Sequence, residues 1–140
     1  MINKEDSQII TFKLGDMIFE YDEWKNEYNI EHHGLSFKYA ARVFFDYYKI
    51  ELYDEENSRF GERYNTIENL SVIDADISAV QDTVIGNINP FGDGINDIIF
   101  VVYTERVHIN IAGEEKEITR LISARFATNF EKRLYYGKYQ

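Results

Sequence analysis

Apolar and polar positions change period several times along this chain, and each change marks an element. Ile9 to Phe12 and Met17 to Tyr21 are short apolar-rich runs separated by Leu14-Gly15-Asp16, which predicts an N-terminal hairpin. Asp22 then offers a carboxylate to the first free amides of a helix over residues 23–33. His33-Gly34 supplies the stop, a partial positive charge at the carboxyl end and then a residue that tolerates left-handed backbone. Ser36 caps a second predicted helix, in which Phe37, Ala40, Ala41, Phe44 and Phe45 repeat at helical spacing. Ile50 to Tyr53 reads as a strand that runs into the acidic loop of Asp54, Glu55 and Glu56.

The pattern is weakest over residues 65–97. Val72, Ile73, Ile77 and Val80 suit a short helix, Thr83 to Ile88 a strand, and Asn89-Pro90-Phe91-Gly92-Asp93-Gly94 a turn cluster. Ile98 to Tyr103 carries the strongest strand signal, apolar on both faces and therefore central to a sheet. Val107, Ile109 and Ile111 alternate with His108 and Asn110, Ala112 to Glu115 turns the chain, and Glu117 to Ser123 returns to close another hairpin. Thr128 followed by Glu131 is a capping-box pattern that opens a last helix through Tyr136. Hairpin, two helices, antiparallel strands and one helix predict a single α+β domain over residues 1–140, with helices packed on one face of a small antiparallel sheet.

Composition narrows the function classes. Hydrophobic residues make up 44% of the 140, with 11 Tyr, 10 Phe and 1 Trp, which is enough to bury a core and excludes disorder for the bulk of the chain. Cys is absent, so disulfides, thiol chemistry and Cys-based zinc sites are excluded. The longest apolar run, Ile98 to Tyr103, is too short to span a membrane, and a cytoplasmic protein is the expectation. The formal charge of −10 argues against tight nonspecific binding to a polyanion. That charge is unevenly spread: residues 61–104 carry 1 basic and 7 acidic groups, whereas residues 105–140 carry 7 and 5. Arg120, Arg125, Lys132, Arg133 and Lys138 face only Glu131, so any contact with nucleic acid belongs at the C-terminal end.

Several side chains are candidates for chemistry. Arg63, Arg106, Arg120 and Arg125 can converge on a phosphate and stabilise a pentacovalent transition state, or each can pair with an acid such as Glu62 or Glu105. Among His32, His33 and His108, a ring near neutral pH can move the proton of a ribose hydroxyl, although His33 also fits a helix end. Asp74-Ala75-Asp76 and Asp93 to Asp97 hint at a metal loop without the full calcium pattern, and a solvated loop is expected there. Phe130 and Leu134 are expected to dock the last helix, with Tyr135, Tyr136 and Tyr139 available for stacking or a partner.

Two segments resemble the BrnT family of bacterial toxins. The first is Phe19-Glu20-Tyr21-Asp22-Glu23-Trp24-Lys25-Asn26, then Asn29, then His33-Gly34-Leu35-Ser36-Phe37, Ala40 and Val43-Phe44. The second is Val101-Val102-Tyr103-Thr104-Glu105-Arg106, then Arg120-Leu121-Ile122-Ser123-Ala124-Arg125-Phe126-Ala127-Thr128, Glu131 and Tyr135. Glu62-Arg63-Tyr64 matches an acid–arginine–aromatic step between them. Tyr21 stands where the family has Trp, while His32 and Phe126 stand where it has basic residues. Residues 1–16, 65–97 and 108–116 look like additions.

The resemblance implies a fold similar to RelE-type toxins, with helices packed against a small antiparallel sheet. It further implies the toxin half of a type II toxin–antitoxin pair, a ribonuclease that needs no metal or organic cofactor. A BrnA-like ribbon–helix–helix antitoxin would neutralise it by covering the basic C-terminal patch, and operator DNA would be bound only through that antitoxin. On matching positions Arg106, Arg120 and Arg125 become the phosphate-binding candidates, with Arg63 and His33 joining them, and the substrate is RNA, free or ribosome-bound. The rival reading is a non-catalytic interaction module that keeps the antitoxin-binding surface, favoured by the acidity and the missing basic residues.

Overall fold

The computed structural model describes residues 3–53, 81–92, 94 and 96–137. Six strands form one sheet: β1 (Ile9–Leu14), β2 (Met17–Asp22), β3 (Ile50–Leu52), β4 (Asp82–Asn87), β5 (Ile98–Ile109) and β6 (Glu115–Phe126). Their spatial order is β1-β2-β6-β5-β4-β3, antiparallel throughout except where β2 and β6 run parallel. Three α-helices accompany the sheet among the described residues: α1 (Glu23–His33), α2 (Phe37–Ala40) and α3 (Asn129–Gly137). The architecture is α+β, as the patterning predicts. The helix expected from Val72 to Val80 lies outside the described residues.

Local signals in the sequence become specific contacts. The Asp22 carboxylate accepts from the Trp24 amide at the start of α1, and Gly34 closes that helix in left-handed geometry at φ 71°. Ser36 caps α2 by accepting from the Tyr39 amide. The second helix is shorter than its spacing suggests, because after Ala40 the chain tightens into a 3-10 turn over Ala41–Phe45. Thr128 and Glu131 form the reciprocal capping box, each backbone amide donating to the other's side chain at 2.9 and 3.2 Å.

Residues 98–103 and 107–109, expected in separate runs, belong to one continuous strand, β5, while Asn110 and Ile111 already form part of the turn. Its partner β6 follows it over nearly its whole length, so the charged residues Glu105 and Arg106 interrupt the apolar pattern without interrupting the ladder. A bulge opposite Val102 and Tyr103 leaves Ile122 as the extra residue of β6. It restores alternation: Leu121 and Ala124, three apart, both enter the same core.

That main core lies on one face of the sheet, where Phe19, Val84, Ile99, Val101 and Tyr103 meet Phe37, Val43 and Phe44. Ile98 and Phe100, the alternate positions of β5, form a smaller cluster with Ile85 and Tyr135. Successive strand side chains point to opposite faces, so this second cluster occupies the other face and α3 packs there. The expectation of helices on a single face is therefore corrected. A central strand apolar on both sides needs cover on both, and Tyr135 supplies it. Phe130 and Leu134, expected to dock α3, are instead 61% and 40% exposed.

Gly86 shows how closely the main core is packed. A Cβ at this position of β4 would stand 2.7 Å from a Val43 methyl, so only glycine lets the 3-10 turn lie against the strand. Nearby, the buried Asp46 carboxylate accepts from the amides of Tyr48 and Asn87 and from the Tyr135 hydroxyl at 2.6 Å. One acid thus ties together the turn after α2, β4 and α3.

Candidate functional site

Strand alternation decides which charged residues share a face. Phe19 and Tyr21 of β2 enter the main core, so Glu20 between them points to the opposite side. On β5 the same logic sends Tyr103 inward and puts Thr104, Arg106 and His108 on the side of Glu20. The register places Arg120 beside both Glu20 and Thr104, Lys116 opposite His108, and Arg125 opposite Phe100. Arg106, Arg120 and Arg125 therefore occupy one face of the sheet, the face that also carries α3.

Each of the three arginines is paired. The Glu20 side chain, 3% exposed, receives Nε and Nη2 of Arg106 at 3.0 and 2.9 Å and Nε of Arg120 at 3.1 Å. One buried carboxylate thus holds two guanidinium groups from two different strands, leaving one net positive charge. Arg125 makes a two-pronged bond to Glu131 at 2.8 and 2.9 Å and lies 4.2 Å from the centre of the Phe100 ring. The bond to Arg125 holds the Glu131 carboxyl below its usual range, and the same contact raises the Arg125 guanidinium. The acids expected from sequence as partners were Glu62 and Glu105. Those found are Glu20 and Glu131, which are distant from Arg106 and Arg120 along the chain or already committed to a cap.

The site divides into two centres. Arg120 is opposite Thr104 and Arg125 opposite Phe100, four residues apart on β5, a separation of about 13 Å along the strand. Arg106 and Arg120 converge on the one Glu20 carboxylate, whereas Arg125 stands apart with Glu131. Arg120 meets Glu20 as an ion pair through Nε, whereas Arg106 donates two hydrogen bonds to the same carboxylate.

His33 is not brought to either centre. It stands at the carboxyl end of α1 and lines a separate hollow of about 210 Å³ with Trp24, Tyr28, Asn29, Ile122 and Ser123. Arg63 lies outside the described residues, as do Lys138, Tyr139 and Asp93. His32 stacks on Tyr28 at 3.8 Å and contacts the Tyr28 carbonyl through Nδ1, which ties it to its own helix. His108, in contrast, is on the arginine face, two residues beyond Arg106. Its place was open to inference from the alternation of Arg106-Val107-His108-Ile109 alone.

Sequence reasoning missed Glu20 and Asn29. Asn29 is 3% exposed, and its amide nitrogen donates to the carbonyls of Leu35 and Ala124, both at 2.8 Å, while its oxygen accepts from the Ala124 amide. Beyond the last β2 pair, Glu20 with Arg120, this carboxamide does for β6 what a neighbouring peptide would do. Asn26 likewise accepts from the Phe37 amide at 2.8 Å. The signal for Glu20 was an acid between two apolar strand positions, Phe19 and Tyr21.

No cluster of three or more His, Asp or Glu side chains placed to hold a metal occurs among the described residues, and none of their helices is long and apolar enough to cross a membrane. The chain matches no protein-family model, and no curated protein shows significant similarity to it.

Proposed function

We propose that this chain is a BrnT-like, RelE-type toxin of a type II toxin–antitoxin pair, a ribonuclease acting without metal or organic cofactor. The observation that carries the reading is the face shared by Arg106, Arg120 and Arg125, with His108 and Lys116 beside them, in a protein of net charge −10. Arg106 and Arg120, pre-positioned by Glu20, hold the phosphate whose charge grows as the ribose 2′-oxygen bonds to phosphorus. The bond from phosphorus to the 5′-oxygen breaks, leaving a 2′,3′-cyclic phosphate. His108 takes the 2′-hydroxyl proton and an acid returns one to the departing 5′-oxygen. His33 has no part in this step, because it lines a different hollow. A BrnA-like antitoxin would cover the basic C-terminal surface, including Lys132 and Arg133 on α3.

A second reading has its own observation. All three arginines are bonded to carboxylates, which suits a non-catalytic module that keeps only a partner-binding surface. Cleavage of labelled RNA in excess EDTA, with ribosomes absent and then present, separates the two. The ribonuclease reading expects cutting by the wild type and a loss of about 100-fold or more in Arg120→Ala/Arg125→Ala. Absence of cutting by folded wild type under both conditions overturns it in favour of the module.

A further inference from the structure

The outer part of the β5–β6 hairpin is an arm. The last β4 pair is Asp82 with Tyr103, and the first β2 pair on β6 is Ile18 with Ile118, so residues 105–117 run beyond both ladders, with Lys13, Asp16 and Met17 lining a hollow beside their base. The two faces of this arm have opposite chemistry. Arg106, His108 and Lys116 point to the arginine face. Glu105, Val107 and Ile109 point to the other face, paired in register with Thr119, Glu117 and Glu115. Val107 and Ile109 are 54% and 62% exposed. Among the described residues of the arm, the charges beside them on this face, Glu105, Glu115 and Glu117, are all negative, while Lys13 and Lys116 line the adjoining hollow at its base.

We propose that this acidic face of the arm docks a partner protein through an extended segment in which lysine or arginine side chains alternate with apolar ones. Positions two apart on a strand repeat at about 7 Å, so a segment lying along β5 sets its apolar groups on Val107 and Ile109 and its cations against Glu105, Glu115 and Glu117. Charge complementarity selects such a partner over an acidic or nucleic-acid one. Glu105 already bears the cost of like charge: burial first, then Asp82, Glu51 and Glu117, raise its carboxyl above the usual range, and an incoming cation relieves that repulsion. The surface lies on the opposite side of the strands from Arg120 and Arg125, and meets the arginine side only at the base of the arm, where Arg106 and Lys116 line a hollow with Glu105, Val107 and Glu117; the inference does not require that the chain cleave RNA.

The test is fluorescence anisotropy of the intact protein with a labelled peptide of alternating Lys and Val, beside a scrambled peptide of equal composition. Binding of the alternating peptide should weaken about tenfold or more in Glu105→Lys/Glu117→Lys. It should also weaken in Val107→Ser/Ile109→Ser, which leaves the charge unchanged. It should stay within about twofold of wild type in Glu5→Lys/Glu31→Lys, which makes the same change of charge at exposed positions elsewhere. Thermal melts confirm that each variant is folded. Equal loss in both Lys variants would show attraction to net charge alone and overturn the proposal, as would equal binding of the scrambled peptide or no binding at all. Concentration-dependent sedimentation of the protein alone, abolished by the Val107/Ile109 variant, would assign the face to a second copy and overturn it as well.

Discussion

The stretch from Phe19 to Phe37 and the stretch from Val101 to Tyr135 both carry polar residues at fixed spacing, and the fold uses them differently. In the first, apart from Glu20, the conspicuous polar side chains are spent on backbone: Asp22 and Ser36 cap helices, Asn26 holds the Phe37 amide, and Asn29 completes the edge of β6. In the second, Arg106, Arg120 and Arg125 reach an accessible face and are held by carboxylates. A polar motif bonded to peptide groups builds the scaffold. One bonded to charged side chains near solvent leaves a field that a ligand can use.

The sharpest way to break this comparison is Asn29→Ala. Three hydrogen bonds in a nearly sealed site are lost and buried peptide groups of Leu35 and Ala124 are left unpaired, at a cost of about 3–4 kcal/mol. The melting temperature should fall by roughly 10 °C, while on the ribonuclease reading the fraction still folded should bind RNA no less than wild type. A selective loss of RNA binding without a drop in melting temperature would place Asn29 with the arginines instead.

Glu20→Gln comes next and sharpens the contrast from the other side. It removes the shared counter-charge of Arg106 and Arg120. Breaking a buried pair costs about 3–5 kcal/mol, reduced here to about 2–3 because Arg106 is a third exposed. The same change adds one positive charge to the face, so retention on heparin or single-stranded RNA should rise a few-fold, by about 1 kcal/mol. A fall in both stability and retention would mean that arginine geometry matters more than net charge.

These two residues also mark what the sequence made legible. Capping signals depend on neighbours within four positions, so α1, α2 and α3 begin where Asp22, Ser36 and Thr128 predict, and the α+β class follows from element order. What escaped was pairing across large separations. Glu20 with Arg106, Asn29 with Ala124 and Asp46 with Tyr135 lie 86, 95 and 89 positions apart. The parallel β2–β6 contact that creates the first two leaves no local trace. Parity along β5 was legible, since it already separates Arg106 and His108 from Glu105. His33, grouped with the arginines by a motif match, lines a different hollow, because such a match says nothing about which hollow its helix faces.

Lowering the pH tests the Arg125 centre. Glu131 has a folded pKa below its ordinary value of 4.5, so its stabilising contribution is present above about that pH and is lost as pH falls through the depressed value. The wild type should lose about 1 kcal/mol over that interval beyond the general effect of acid. Glu131→Gln should be less stable at neutral pH and converge with wild type in acid. Parallel curves would mean that the bond between Glu131 and Arg125 adds nothing in solution.

Glu105 should respond in the opposite direction and more weakly. Its folded pKa is raised, by burial and then by Asp82, Glu51 and Glu117, so between 4.5 and the raised value the folded chain holds the proton more tightly than the unfolded chain does. Its favourable contribution is therefore present in acid and lost as pH rises through the folded pKa, leaving a small penalty at neutral pH. Glu105→Gln removes the charge but keeps the shape, and should raise the melting temperature at pH 7 by about 1–2 °C, with no gain below about pH 4.5. The rise stays small because the side chain is exposed and salt screens its neighbours; it should shrink further in high salt. A melting temperature that fell at pH 7 would give Glu105 a favourable cationic partner within the chain. Its acidic face would then already be satisfied, and the two sides of the arm would no longer differ in what they have left to bind.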